Sequence, residues 1–157
     1  MNLIKVIGVG SPFGDDQAGW KVIDRLKQQI VLPSHLSQSV KIESYDRPGV
    51  RLIEYIKDTD TLFLIDAIKS NQDIGSIHRF SKKDILESKD PFSTHHLGVL
   101  EALQLGLALN DLPNNVYFYG IEIDMVLIDS TLSQLVHIAV ETLALQLKHE
   151  IECLLFG

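Results

Sequence analysis

The sequence predicts an α/β domain of three layers, a mostly parallel five-stranded sheet with helices on both faces. Short apolar runs rich in Val, Ile and Leu alternate along the chain with segments whose apolar residues recur at helical spacing. Most of the connections that join successive strands are long enough to hold a crossover helix, which favours parallel pairing. The whole pattern fits in 157 residues with 45% apolar content, so residues 1–157 are expected to form one domain with a single sheet and a substantial core.

Leu3 to Val9 is a short apolar run closed by Gly8 and Gly10, the pattern of a buried first strand. Asp15 and Asp16 follow it and precede Trp20, Val22, Ile23 and Leu26 at helical spacing. Acidic residues there suit the positive end of a helix dipole. Pro33 and Ser34 mark a loop, and Val40 to Tyr45 alternates as a second strand. Pro48-Gly49 breaks the chain before a helix marked by Val50, Leu52, Ile53 and Ile56. Leu62 to Ile68 is a strongly apolar third strand interrupted only by Asp66.

Asn71 to Gly75 is a turn and Ser76 to Phe80 a fourth strand. That turn is too short for a crossover, so the fourth strand is antiparallel to the third if the two are neighbours; otherwise its place in the sheet is open. Ser81 to Ser93 is polar, a loop with one helical turn. His96 to Leu109 is apolar nearly all round, which predicts a largely buried helix. Asn110 to Asn115 is a loop with Pro113, and Val116 to Ile123 is the fifth strand. Leu132, Leu135, Val136, Ala139, Val140, Leu143, Leu147 and Ile151 mark a long amphipathic C-terminal helix.

Charge and composition narrow the function classes. A formal charge of −7 disfavours nucleic acid, whose binding rests on Lys and Arg neutralising phosphates. It favours a metal, a neutral or basic peptide, or a partner protein. One cysteine, Cys153, supplies neither a disulfide framework nor a thiolate zinc site, and it is expected to pack on the last helix. The N-terminus lacks a basic segment followed by an apolar stretch and a cleavage site, and no apolar run is long enough for a bilayer. The expectation is therefore a cytoplasmic protein, a monomer, with no membrane partner.

In open sheets of this kind ligands gather outside the carboxyl ends of the strands. Three polar residues fall there: Asp16 after the first strand, Asp66 near the end of the third, and His95 just before the apolar helix. Two carboxylates and an imidazole form an O,O,N donor set that suits a first-row metal with open positions for water or substrate. Such an open site polarises a carbonyl and acidifies water. Each residue also has a plainer role: Asp16 as a helix cap, Asp66 bonded to backbone N–H groups, His95 as a packing histidine. Asp66 is the most informative, because a charge inside an apolar strand is costly unless it is paired or bound. Asp15 is either a partner that supports Asp16 or only a favourable charge on the helix dipole, His96 an alternative ligand or a residue packed against the helix, Trp20 a core or rim residue, and Arg47 a solvated side chain or a group that meets a carboxylate or a peptide carbonyl.

The segment Gly8-Val9-Gly10-Ser11-Pro12-Phe13-Gly14-Asp15-Asp16-Gln17-Ala18-Gly19 resembles the opening motif of the hydrogenase maturation endopeptidases. Leu64-Ile65-Asp66-Ala67 resembles that family's second acidic motif, and Ser93-Thr94-His95-His96-Leu97-Gly98 its histidine motif. The three occur in the family's order over nearly the whole chain. The resemblance implies a five-stranded, helix-covered sheet. It also implies removal of a C-terminal extension from the large-subunit precursor of a nickel–iron hydrogenase, with nickel supplied by the precursor and other divalent metals acceptable in vitro. Position by position, it implies that Asp16, Asp66 and His95 are both the metal ligands and the catalytic residues. Ser11 stands where the family commonly has Asn, the first motif is one residue shorter before Asp15, and Asp46-Arg47-Pro48-Gly49 stands where Asp-Gly-Gly-Thr is frequent. These departures fit a branch of the family with a different large-subunit partner.

Three other readings compete. A nucleotide-binding domain would use Gly8-x-Gly10 and Asp46, although the spacing to Gly14 departs from G-x-G-x-x-G and the two aspartates oppose a pyrophosphate. A non-catalytic chaperone would grip the nickel-loaded precursor and leave it uncut. An acid protease would use Asp16 and Asp66 as a dyad without metal.

Overall fold

The computed structural model of the chain describes residues 2–87, 93–94, 98–124 and 131–157. Its strands are β1 (Ile4–Gly10), β2 (Val40–Asp46), β3 (Thr61–Lys69), β4 (Ile77–Ser81), β5 (Ser93–Thr94) and β6 (Asn115–Glu122). Its helices are α1 (Ala18–Gln29), α2 (Leu52–Tyr55), α3 (Lys82–Glu87), α4 (Val99–Ala108) and α5 (Gln134–Phe156). The strand order is β2-β1-β3-β6-β4, with β5 attached to β3 outside that path. β2, β1, β3 and β6 run parallel, and β4 is antiparallel to β6 at the edge. The fold is thus the expected α/β sandwich with a mostly parallel sheet.

The central strand explains the layering. All of β3 from Thr61 to Ile68 is buried, as expected for a strand covered on both faces. Its residues alternate between two cores. Phe63, Ile65 and Ala67 pack with Val22, Ile23 and Leu26 of α1 and with Val136, Val140, Leu143 and Leu147 of α5. Leu62, Leu64 and Ile68 pack on the other face with Leu52, Ile85, Leu100 and Leu103, drawn from α2, α3 and α4.

Several details complete the sequence expectation or depart from it. The fourth strand, whose place the sequence leaves open, pairs antiparallel with β6, because the Asn71–Gly75 turn carries the chain past β6 before it reverses. The helix expected from Val50 is a 3₁₀ turn, Gly49–Arg51, followed by the single turn of α2. A sixth strand exists: β5 has two residues and pairs antiparallel with the end of β3. α4 buries Val99, Leu100, Ala102, Leu103 and Gly106, but Leu105 is exposed, so one side of this apolar helix meets solvent. Cys153 is likewise exposed, with its sulfur 3.6 Å from His149 Nε2, instead of packing in the core.

Candidate functional site

The first loop is shaped by close approach of backbone to backbone. A Cβ on Gly19 would lie 2.3 Å from Val9 O and 2.7 Å from Ile65 O, and one on Gly8 would lie 2.4 Å from Gly19 O. Glycine at both positions lets the start of α1 press onto β1 and β3. Between them the 3₁₀ turn Gly14–Gln17 packs against both strands and carries Asp15 and Asp16. Gly14 has φ +47°, a left-handed conformation that favours glycine.

Asp16 is 1% exposed. Its Oδ2 accepts a hydrogen bond from the Ser11 hydroxyl. Its backbone N–H donates to Phe13 O at 3.0 Å, and its carbonyl accepts from Ser11 N at 3.2 Å, which closes the loop on itself. Asp15 points elsewhere. Its carboxylate accepts from Ser133 N at 2.7 Å and Ser133 Oγ at 2.8 Å, which ties the loop to the N-cap residue of α5. Of the two adjacent aspartates, one is therefore buried beside β3 and the other is a tether to a distant helix.

Asp66 is 5% exposed and lies on the β3 face that carries Leu64 and Ile68, the face covered by α4. The last β1 rung on β3 is Gly8–Ile65. Beyond it, Asp66 Oδ1 accepts the Ala67 N–H at 2.8 Å. Burial pushes the Asp66 pKa well above its ordinary value; the charge of Asp16 pushes it the same way, and the Ala67 N–H partly opposes both. The two predicted aspartates are thus brought close enough for one to act on the ionisation of the other.

His95 and His96 lie outside the described residues. The backbone of their neighbour Thr94 pairs with Ile68, two residues beyond Asp66, and Gly98 is the N-cap residue of α4. Among the described residues no three His, Cys, Asp or Glu side chains form a metal-sized cluster. The chemistry of the Asp16–Asp66 pair nonetheless suits a cation. The charge of Asp16 opposes ionisation of Asp66, and a positive ion held by both carboxylates would reverse that effect.

Around this pair, Trp20 Nε1 donates to Tyr45 O at 2.9 Å and the indole packs beside Gly10. Arg47, at φ +42°, donates its backbone N–H to Gly10 O at 3.1 Å. Its guanidinium pairs with Asp46 at 2.6 Å and lies over the Phe13 ring at 5.9 Å. The bond to Asp46 raises the Arg47 pKa, with a smaller contribution from the charge of Asp16. Arg47 is therefore ion-paired at the rim. Farther along the carboxyl edge, Lys69, Asp73, Glu122 and Leu135 help line an open groove of about 630 Å³ that neither Asp16 nor Asp66 reaches.

Sequence reasoning did not single out Glu122, a carboxylate 1% exposed at the end of β6. The signal that exposed Asp66 was present there too: an acidic residue in an apolar run, Tyr119-Gly120-Ile121-Glu122-Ile123.

Comparison with known proteins bears on this arrangement. The sequence pattern of the family described as HycI, hydrogenase maturation protease, matches residues 21–150, a stretch that includes Asp66 and His95 and begins after Asp16. The hydrogenase expression/formation protein HupD of Thiocapsa roseopersicina is 24% identical over 123 residues, covering 76% of this chain and 53% of that protein. The chain therefore spans about half the length of that curated relative. Among solved structures, the hydrogenase maturating endopeptidase HybD from E. coli superposes with a TM-score of 0.74 at 21% identity, over 92% of this chain and 89% of the other. The nickel–iron hydrogenase maturation protease HybD from Thermococcus kodakarensis gives 0.72 at 23% identity, over 95% and 98%. At these identities the structural likeness speaks for the fold.

Proposed function

This chain belongs to the hydrogenase maturation protease family, and from that premise we propose that it is an endopeptidase that removes a C-terminal extension from the nickel-loaded large-subunit precursor of a nickel–iron hydrogenase. The observation that carries the proposal is the pair of buried carboxylates, Asp16 from the β1–α1 turn and Asp66 from the end of β3, close enough to interact electrically. Ligands gather at this carboxyl edge in open α/β sheets.

In this account Asp16, Asp66 and His95 hold the nickel that the precursor brings, so the metal is part of the substrate. When bound, it supplies Lewis acidity at the scissile carbonyl. Asp16 is held in one orientation by the Ser11 hydroxyl, and Asp66 by the Ala67 N–H. Fixed ligands of this kind present the same oxygens to each incoming precursor, which lowers the entropy cost of reaching a reactive geometry. The exposed Phe13 ring and the Arg47 guanidinium over it form a rim against which a peptide can lie. The chain acts as one domain over residues 1–157 and as a monomer. It works in the cytoplasm, where a lone exposed thiol such as Cys153 stays reduced. No helix among the described residues is long and apolar enough to cross a membrane.

The test is the intact mass of candidate large-subunit precursors, nickel-loaded and nickel-free, after incubation with the protein. Loss of a C-terminal peptide from the nickel-loaded form alone is the expected result. Stable binding without cleavage would favour a chaperone instead. Equal cleavage of both forms would favour a carboxylate dyad that works without the metal.

A further inference from the structure

Past Ile68 the β3 ladder has no further strand partner on the β6 side, and a side chain continues it. Ile123 N donates to Ile68 O at 2.9 Å, and then Glu122 Oε2 accepts the Ser70 N–H at 2.7 Å. Glu122 Oε1 takes the Ser70 hydroxyl and also lies 3.2 Å from His78 Nε2 on β4. The Glu122 backbone holds the next corner: its N–H donates to Ser76 O and its carbonyl accepts Gly75 N–H, both at 2.8 Å. A buried carboxylate is costly unless its lone pairs are filled, and here the Ser70 N–H and hydroxyl, just past β3, and the His78 ring on β4 fill them.

What this residue holds is the platform of the site. Ile68 and Lys69 pair with Thr94 and Ser93 of β5 on one side, while Ile68 pairs with Glu122 on the other. Ile68 also leans across the space that the absent side chain of Gly120 leaves open, where a Cβ would come within 2.6 Å of Ile68 Cδ1. Asp66 lies opposite that same Gly120. The end of β3 thus carries a site carboxylate and a two-residue strand, and no parallel neighbour braces it beyond Glu122.

We propose that Glu122 is a positioning residue: by clamping Ser70 at the end of β3, it fixes the placement of the Asp66 carboxylate. This rests on the proteolytic function proposed above. The test compares Glu122→Ala and Glu122→Gln with the unmodified protein by amide hydrogen exchange and by cleavage kinetics on nickel-loaded precursor. Gln keeps an oxygen for the Ser70 N–H and an amide for the Ser70 hydroxyl. In Glu122→Ala, exchange at Ala67 and Ser70 should rise by about tenfold or more while Val6 and Ile7 stay as they were. kcat should fall by about tenfold or more with KM within about twofold, and Glu122→Gln should restore both. Should Glu122→Ala fail to fold, Ser70→Ala removes one donor and carries the same comparison. Unchanged kcat in a folded Glu122→Ala protein would overturn the proposal. So would exchange rising equally at Val6 and Ile7, which marks global loosening. If the unmodified protein cleaves no precursor, the proteolytic function fails, and the exchange comparison alone still decides whether Glu122 places Asp66.

Discussion

Burial raises the Asp66 pKa well above 3.8, first by loss of hydration and then through the charge of Asp16. Between 3.8 and the raised value the folded protein binds a proton that the unfolded chain releases. This group's contribution to stability therefore declines as pH rises through that window. Asp66→Asn removes the ionisable group at little change in size. We expect the variant to melt at or above the wild-type temperature at pH 7, with the difference shrinking as pH falls toward 4, and to lose about 100-fold or more of its cleavage rate. Calorimetric melting across that pH range, paired with precursor cleavage, checks both halves. Asp15 should behave in the opposite way. Its bonds to Ser133 are structural, so Asp15→Ala should cost about 1 kcal/mol in urea unfolding and leave the cleavage rate within about threefold. Asp66 was legible in the sequence because nothing else in the run Leu62 to Ile68 is polar. Asp15 was not, because its partner Ser133 is 118 residues away and no local pattern links them.

At the scale of elements, the packing of α1 onto the sheet depends on glycines. A methyl group at Gly19 would meet Val9 O and Ile65 O, neither of which is a flexible side-chain end. Gly19→Ala should therefore displace the start of α1 and the Asp16 turn with it, at a cost of about 1–3 kcal/mol. Urea denaturation measures that cost, and cleavage of the precursor should fall along with stability. The five long strands were readable from apolar runs and turn residues, with ends within one or two residues of those observed. The partner of β4 was not, because pairing across the sheet is decided by which edge remains open after β1, β3 and β6 assemble. β5 was invisible for a related reason: a strand of two residues has no periodicity, and it forms because the end of β3 offers it a free edge.

For the molecule as a whole, four parallel strands and their two cores bring residues 50 positions apart in the chain to one carboxyl edge. That convergence follows from the order of strands and helices, so Asp16 and Asp66 are legible in the sequence. The mutual influence of the two could not, since it depends on how closely the glycine-lined turn presses on β3. We propose that these two carboxylates act as one unit on the nickel-bearing precursor. Single-turnover cleavage by Asp16→Asn, Asp66→Asn and the double variant tests it most directly. Each single variant should lose about 100-fold or more, and the double variant should be no slower than the worse of the two, as for groups that work only together. An Asp16→Asn protein with full activity, or losses that multiply in the double variant, would contradict it.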